Sequence, residues 1–225
     1  MHWYSVALVL MLSVSGLSCR GTVLSDNRPQ GQPAEPPSGE GWVDLLDAEH
    51  APNWQATNKK KLFEIEEGVL HILGGPSGYV LYGEEQLDDF ALHLEFKLDT
   101  GSNSGVMFRA AKEDPVFKGM EIQVYGDQGK PPTNHSCGAL YDVATPMFNM
   151  SRPAGEWNSY DMVCGGSHVE LVMNGWKVLD VDLSKMTMPI GKFPTPLAEL
   201  PRKGWLLLQN HRDEVWYRNV RLKKM

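Results

Sequence analysis

The chain has 225 residues, enough for one domain with a sizeable core once a short leader is set aside. With 42% apolar and 22% charged residues it has the composition of a globular protein, which excludes a wholly disordered chain and a fibre. A net charge of −7 opposes non-specific nucleic-acid binding, which runs on Lys and Arg facing phosphates, so no nucleic-acid partner is expected.

Residues 5–18 form a short apolar run ending in Ser15, Gly16 and Ser18. The run is too short to span a bilayer comfortably, and its small terminal residues suit peptidase cleavage, so residues 1–18 read as a secretory signal peptide. Cys19 is a candidate lipid attachment site, although Leu17 stands one place nearer the cysteine than in a bacterial lipoprotein signal. The expected location is therefore the periplasm or outer surface, with a membrane tether only through the N-terminus. Residues 19–41 carry Pro29, Pro33, Pro36 and Pro37 and little that is apolar, the composition of a flexible linker.

From Trp42 to the end the pattern has period two. Residues 62–73 read as two short strands around Glu67-Gly68, followed by strands at 79–82 and 90–98. In the latter Phe90, Leu92, Leu94, Phe96 and Leu98 alternate with polar or small residues. Further strands are predicted at 104–110, 120–126 and 158–164. Two more flank Asn174-Gly175, a dipeptide that favours the tight turn matching strand twist. Strands at 205–211 and 215–223 close the chain. Short helical turns fit around Leu45–Glu49 or Ala198–Leu200. So many alternating strands, with no long amphipathic helix, predict an all-β, two-sheet jelly-roll sandwich. The last strand is basic, with seven Lys and Arg against two acids from Arg202 onward, and the interruption by Trp216, Tyr217, Val220 and Leu222 marks it as part of the body.

Alternation assigns faces. Met120, Ile122 and Val124 share one side and Glu121, Gln123 and Tyr125 the other; Met107 and Arg109 oppose Val106, Phe108 and Ala110; Trp205, Leu207, Gln209 and His211 share a face. Three strands thus present polar groups away from the core, where a curved sheet would gather them into a groove. The same residues also fit ordinary roles. Arg109 and Glu121 can be a cross-strand ion pair, the two glutamines plain surface residues, His211 a solvated strand end, and Tyr141 and Trp157 edge seals. Cys137 and Cys164 can form one disulfide and lack zinc-site spacing.

Several stretches taken together, including FEIEEGVLHI, DDFALHLEFKLDTGSNSGVMFR, KGMEIQVYGD, CGALYDV and GWLLLQNHRDEVWYRNVRLK, resemble the 3-keto-disaccharide hydrolase domain family over about residues 41–224. The resemblance implies a concanavalin-like jelly roll acting on 3-keto-glycosides, by abstraction of the C2 proton, elimination at C1 and hydration. It implies a saccharide substrate already oxidised at C3, hence a sugar 3-oxidoreductase acting upstream. Carried over by position, the family elements fall on Asn103, Ser104, Gly105 and Arg109; on Glu121, Gln123 and Asp127; on Gly138, Ala139, Leu140 and Tyr141; on Trp157 and Asn158; and on Gln209 and His211. Position 137, often threonine in relatives, is cysteine here. The resulting expectation gives Glu121 and His211 the acid and base roles in either order and Arg109 the stabilisation of the enolate. Asn103, Gln123, Asp127, Tyr141, Trp157 and Gln209 would then bind substrate. No cofactor is expected; the alternative is a divalent cation held among Glu121, Asp127, Asp142 and His211. The competing functional class is a non-catalytic carbohydrate-binding module, which would stack pyranose rings on Tyr79, Tyr82, Tyr125, Tyr141 or Trp157.

Overall fold

The structure is a computed structural model that describes residues 31–225. The expected signal peptide and Cys19 lie outside the described residues. The strands are β1 (Val43–Asp44), β2 (Trp54–Ala56), β3 (Phe63–Glu66), β4 (Val69–Leu73), β5 (Gly78–Leu87), β6 (Phe90–Leu98), β7 (Asn103–Ala110), β8 (Met120–Tyr125), β9 (Asn158–Gly165), β10 (His168–Met173), β11 (Trp176–Asp182), β12 (Gly204–Asn210) and β13 (Glu214–Lys224). Short 3₁₀ turns occur at Ala51–Asn53, Leu183–Lys185 and Leu197–Glu199.

The strands form two antiparallel sheets. The larger has the order β11-β10-β9-β6-β13-β4-β3, with β1 pairing β13; the smaller has the order β2-β5-β12-β7-β8. The predicted jelly-roll sandwich is what forms. Its core is the meeting of the alternating faces: Phe90, Leu92, Leu94 and Phe96 from β6 face Val106 and Phe108 from β7 and Met120, Ile122 and Val124 from β8, all buried. The turn at Asn174-Gly175 has φ values of +50° and +81°, the left-handed pair that a two-residue hairpin turn needs. Glu67-Gly68, at +49° and +74°, does the same between β3 and β4.

Part of the expected linker is not free. The Arg152 guanidinium donates to the Gly31 carbonyl at 2.8 Å and to Gln32 Oε1 at 2.9 Å, and the Ala34 N–H donates to Ser159 Oγ at 2.9 Å. Residues 31–34 thus lie against the larger sheet because a half-buried guanidinium and a strand hydroxyl satisfy their backbone groups, a partnership that composition does not reveal. Cys137 and Cys164 are both buried as free thiols, so they do not form a disulfide.

Two tyrosines of the larger sheet cross the core. Tyr160 on β9 donates to the Gln123 carbonyl at 2.6 Å, and Tyr217 on β13 donates to Ser104 Oγ at 2.7 Å, which donates in turn to the Gln209 carbonyl at 2.5 Å. The β12–β7 ladder ends at Leu208↔Val106, and the Ser104 hydroxyl links the strands beyond it. Both links end under residues whose side chains point away from the core, on the outer side of the smaller sheet.

Candidate active site

On that outer side lies an open cavity of about 410 Å³, within the range of small-ligand sites. β8 supplies Glu121 and Gln123, β7 Asn103, β12 Gln209 and Asn210 with His211 just beyond, and β5 Gly78 and Tyr79. Loops add Ser77, Val116, Tyr141 and Lys192.

Glu121 sits on the floor, 4% exposed. Gly105, opposite Gln123 on β7, leaves space for it: a Cβ there would lie 2.9 Å from Glu121 Cδ and 3.0 Å from Cγ. Burial pushes the Glu121 carboxyl above the usual carboxylate range, while Lys192 and His211 favour the ionised form and oppose that shift. Lys192 Nζ donates to Glu121 Oε2 at 3.4 Å and lies over the Tyr141 ring, 4.9 Å from its centroid. Gly191, with φ +52°, allows this placement, because its backbone lies against Asp142 where a Cβ would strike the carbonyl. Tyr141 is held by its N–H, which donates to the Glu121 carbonyl at 2.9 Å, and by His135, stacked at 4.7 Å.

The amide side chains form a second group. Asn103 N–H donates to Asp213 Oδ2 at 2.9 Å, and Gln123 Nε2 donates to Asn103 Oδ1 at 3.3 Å. That leaves Gln123 Oε1 buried with no hydrogen-bond partner. Such an acceptor costs stability unless a ligand donates to it, and a ligand hydroxyl or N–H at the cavity would be a donor of the right kind.

The fold brings together Glu121, Gln123, Gln209 and His211, which alternation placed away from the core, with Asn103 and Tyr141, which the family resemblance had added. It separates three others. Arg109 does not share the face of Glu121, whose cross-strand neighbour is Met107. Pairing passes from Trp205↔Ala110 to Leu207↔Met107, so β7 carries one extra residue, and Arg109 has φ +48°. This bulge returns Ala110 to the side of Met107, in a small outer cluster with Leu81 and Leu207. The Arg109 side chain instead reaches the Asp88 carbonyl at 2.9 and 3.1 Å, the Gly166 carbonyl at 2.9 Å and Asp89 Oδ1 at 3.1 Å. It clamps the β5–β6 and β9–β10 turns.

Asp127 is buried below its loop, where its carboxylate accepts from Asn149 Nδ2 at 3.0 Å and from the Cys137 N–H at 3.3 Å. It shapes the loop that carries Tyr141 and does not line the cavity. Trp157 packs on the larger sheet with the Arg218 guanidinium 4.1 Å from its ring centroid and Lys97 Nζ at 5.2 Å. The four candidate cation ligands do not gather either. Neither Asp127 nor Asp142 lines the cavity, and Asp142 Oδ1 bonds His135 Nε2 at 3.1 Å. Among the described residues the grouping with ligand-like spacing is His168, Glu170 and Asp180, elsewhere on the surface, and Lys177 already bridges its two carboxylates.

Lys192 is the residue the sequence reading missed. It stands in residues 191–196, GKFPTP, where no period-two pattern assigns a face, and only the close approach of this loop to Asp142 brings it to Glu121.

Comparison with known proteins agrees with this architecture. The chain is 23% identical to a 3-keto-disaccharide hydrolase of Bacteroides thetaiotaomicron, over 84% of this chain and 80% of that protein. A crystal structure from Parabacteroides distasonis, provisionally named a glycosyl hydrolase, superposes with a TM-score of 0.72 at 28% identity, over 82% of this chain and 99% of that one. A Bacillus subtilis protein of unknown function with a galectin-like fold superposes at 0.57 with 12% identity over 81% and 94% of the two chains, a likeness of fold alone. The family described as 3-keto-α-glucoside-1,2-lyase-like domains matches residues 41–223, and the chain belongs to it.

Proposed function

We propose that this protein is a hydrolase-type enzyme that cleaves 3-keto-glycosides by elimination and hydration. A ketone at C3 acidifies the C2 proton, because the resulting carbanion is delocalised as an enolate. Removal of that proton lets the C1 substituent leave without an oxocarbenium ion, and water then adds to the unsaturated sugar. The chemistry asks for a base, an acid at the leaving oxygen and a positive group near the enolate. The observation that carries the reading is that Glu121, Lys192 and His211 line one polar cavity, with a buried carboxylate that interacts electrostatically with both nitrogen side chains.

In this reading Glu121 is the base. Its burial raises its proton affinity above that of an ordinary carboxylate, which makes it a stronger base. His211, exposed at the strand end, protonates the leaving oxygen where the alcohol departs. Lys192 takes the role first expected of Arg109, and Asn103, Gln123 and Gln209 hold the sugar hydroxyls. The relative's name and the family's description support the substrate class. A binding module would favour a flat aromatic strip; here Tyr79 and Tyr141 line a concave site with ionisable groups between them. The apolar run at 5–18 supports action outside the cytoplasm.

The test is incubation with a 3-keto-glucoside beside its unoxidised parent. Cleavage of the ketone alone is expected, since without the carbonyl the C2 proton is too weakly acidic for these residues. Equal cleavage of both would make this an ordinary glycosidase, and saturable binding without turnover would make it a binding module.

A further inference from the structure

Lys192 has features that a mere counter-charge does not need. Its side chain is 9% exposed, yet Nζ faces the cavity and touches Glu121 only at the long end of hydrogen bonding, 3.4 Å. The rings of Tyr141 and Phe193, with centroids 4.9 and 5.4 Å from Nζ, keep part of its surroundings free of water. A lysine with a desolvated stem can act as a nucleophile toward carbonyl carbon, and a carboxylate beside it, although it favours the ammonium, can take the proton that the amine must lose first. The substrate class proposed above brings a ketone into this cavity.

Resting on that reading, we propose that Lys192 attacks the C3 ketone and carries the sugar as a protonated Schiff base through the elimination. The proton balance closes on the residues present. Glu121 takes a proton from the Lys192 ammonium, and the free amine adds to C3 to give a carbinolamine. Glu121 returns its proton to the carbinolamine hydroxyl, which leaves as water and forms the C3=N iminium. The Glu121 carboxylate, now ionised, takes the C2 proton, and the electron pair of that bond forms the enamine. The enamine expels the C1 oxygen, which His211 protonates, leaving a conjugated unsaturated iminium. One water adds to C1 with reprotonation at C2, and a second hydrolyses the iminium. Because the first step released one water, the net reaction consumes one and yields the alcohol and the free 3-keto sugar. The Lys192 nitrogen carries the positive charge in both iminium stages, beside C2 when its proton leaves, where an enolate route would also need it. The iminium withdraws electrons more strongly than a neutral ketone.

The experiment is reduction of the working enzyme. Wild-type protein is mixed with a 3-keto-glucoside and treated with sodium borohydride, with the unoxidised glucoside as control, and intact mass and peptide mapping locate any adduct. The expected result is irreversible loss of activity with a reduced sugar adduct on Lys192, in the ketone arm only. K192R, which keeps the charge and cannot form an imine at this position, should then be as inactive as K192A. Wild-type turnover with no adduct, or K192R retaining most of the rate, overturns the Schiff base and leaves the proposed function standing. Absence of wild-type turnover on the ketone overturns that function itself.

Discussion

Replacing Gly105 by alanine tests whether the seat of Glu121, rather than its mere presence, sets the rate. The φ of Gly105 lies outside the left-handed region, so alanine brings no backbone strain there and the perturbation is one methyl group. That methyl would lie 2.9 Å from Glu121 Cδ and 3.0 Å from Cγ, closer still to Oε1. Carbon atoms prefer about 3.5–4.0 Å, so the carboxyl must retreat by about 0.5–1 Å. A shift of this size in a catalytic group costs up to ~10²-fold in rate. The stability cost is smaller, about 1–3 kcal/mol from overpacking, partly offset by about 0.4–1 kcal/mol from the stiffer unfolded chain. The assay is kcat on a 3-keto-glucoside for G105A, E121Q and the double variant, with thermal unfolding of each. If Gly105 acts through Glu121, the loss caused by G105A should nearly vanish in the E121Q background. A G105A enzyme with normal kcat, or losses that simply multiply in the double variant, would refute the reasoning.

E121Q and H211A should each lose at least ~10²-fold in turnover of the 3-keto-glucoside while remaining folded, as steady-state kinetics and circular dichroism would show. The acid limb of wild-type kcat/KM should lie above the ordinary carboxylate range, and in K192M the Glu121 carboxyl, followed directly by carbon-13 NMR, should titrate at still higher pH, because Lys192 holds its value down; a downward shift would contradict this. The folded-state pKa of Glu121 is raised, so its contribution to stability is full below the unfolded value and lost as pH rises through the folded one. The melting temperature of E121Q relative to wild type should therefore rise as the pH is raised from the ordinary glutamate pKa upward. R109K should lower stability by about 2–4 kcal/mol, or roughly 4–16 °C, by breaking the buried clamp on the two turns, and should leave KM unchanged at permissive temperature. W157A, altered on the larger sheet, should leave kcat/KM at the wild-type value within error.

The period-two pattern was enough to place nearly every strand, since a half-buried strand must alternate to cover the core on one side only. It also sorted β8 correctly: Met120, Ile122 and Val124 went inward, and Glu121 and Gln123 outward, where the cavity opens. The very short strands β1 and β2 escaped, because two or three residues carry no period. Arg109 shows where alternation fails. A single extra residue in β7 leaves no mark on a hydrophobic pattern, yet it turns every following side chain to the other face, and only the pairing with β12 reveals it. Lys192 shows the complementary limit, for its position depends on a loop folding back until Gly191 meets Asp142. Asp127 and Trp157 were expected at the substrate, and their neighbours Asn149 and Arg218, distant in sequence, hold them away from the cavity. Local sequence determined which side chains face out along each strand, because that is a property of the backbone repeat. Which of those side chains meet was decided by register, bulges and loop closure, because these are set by contacts between residues far apart in the chain.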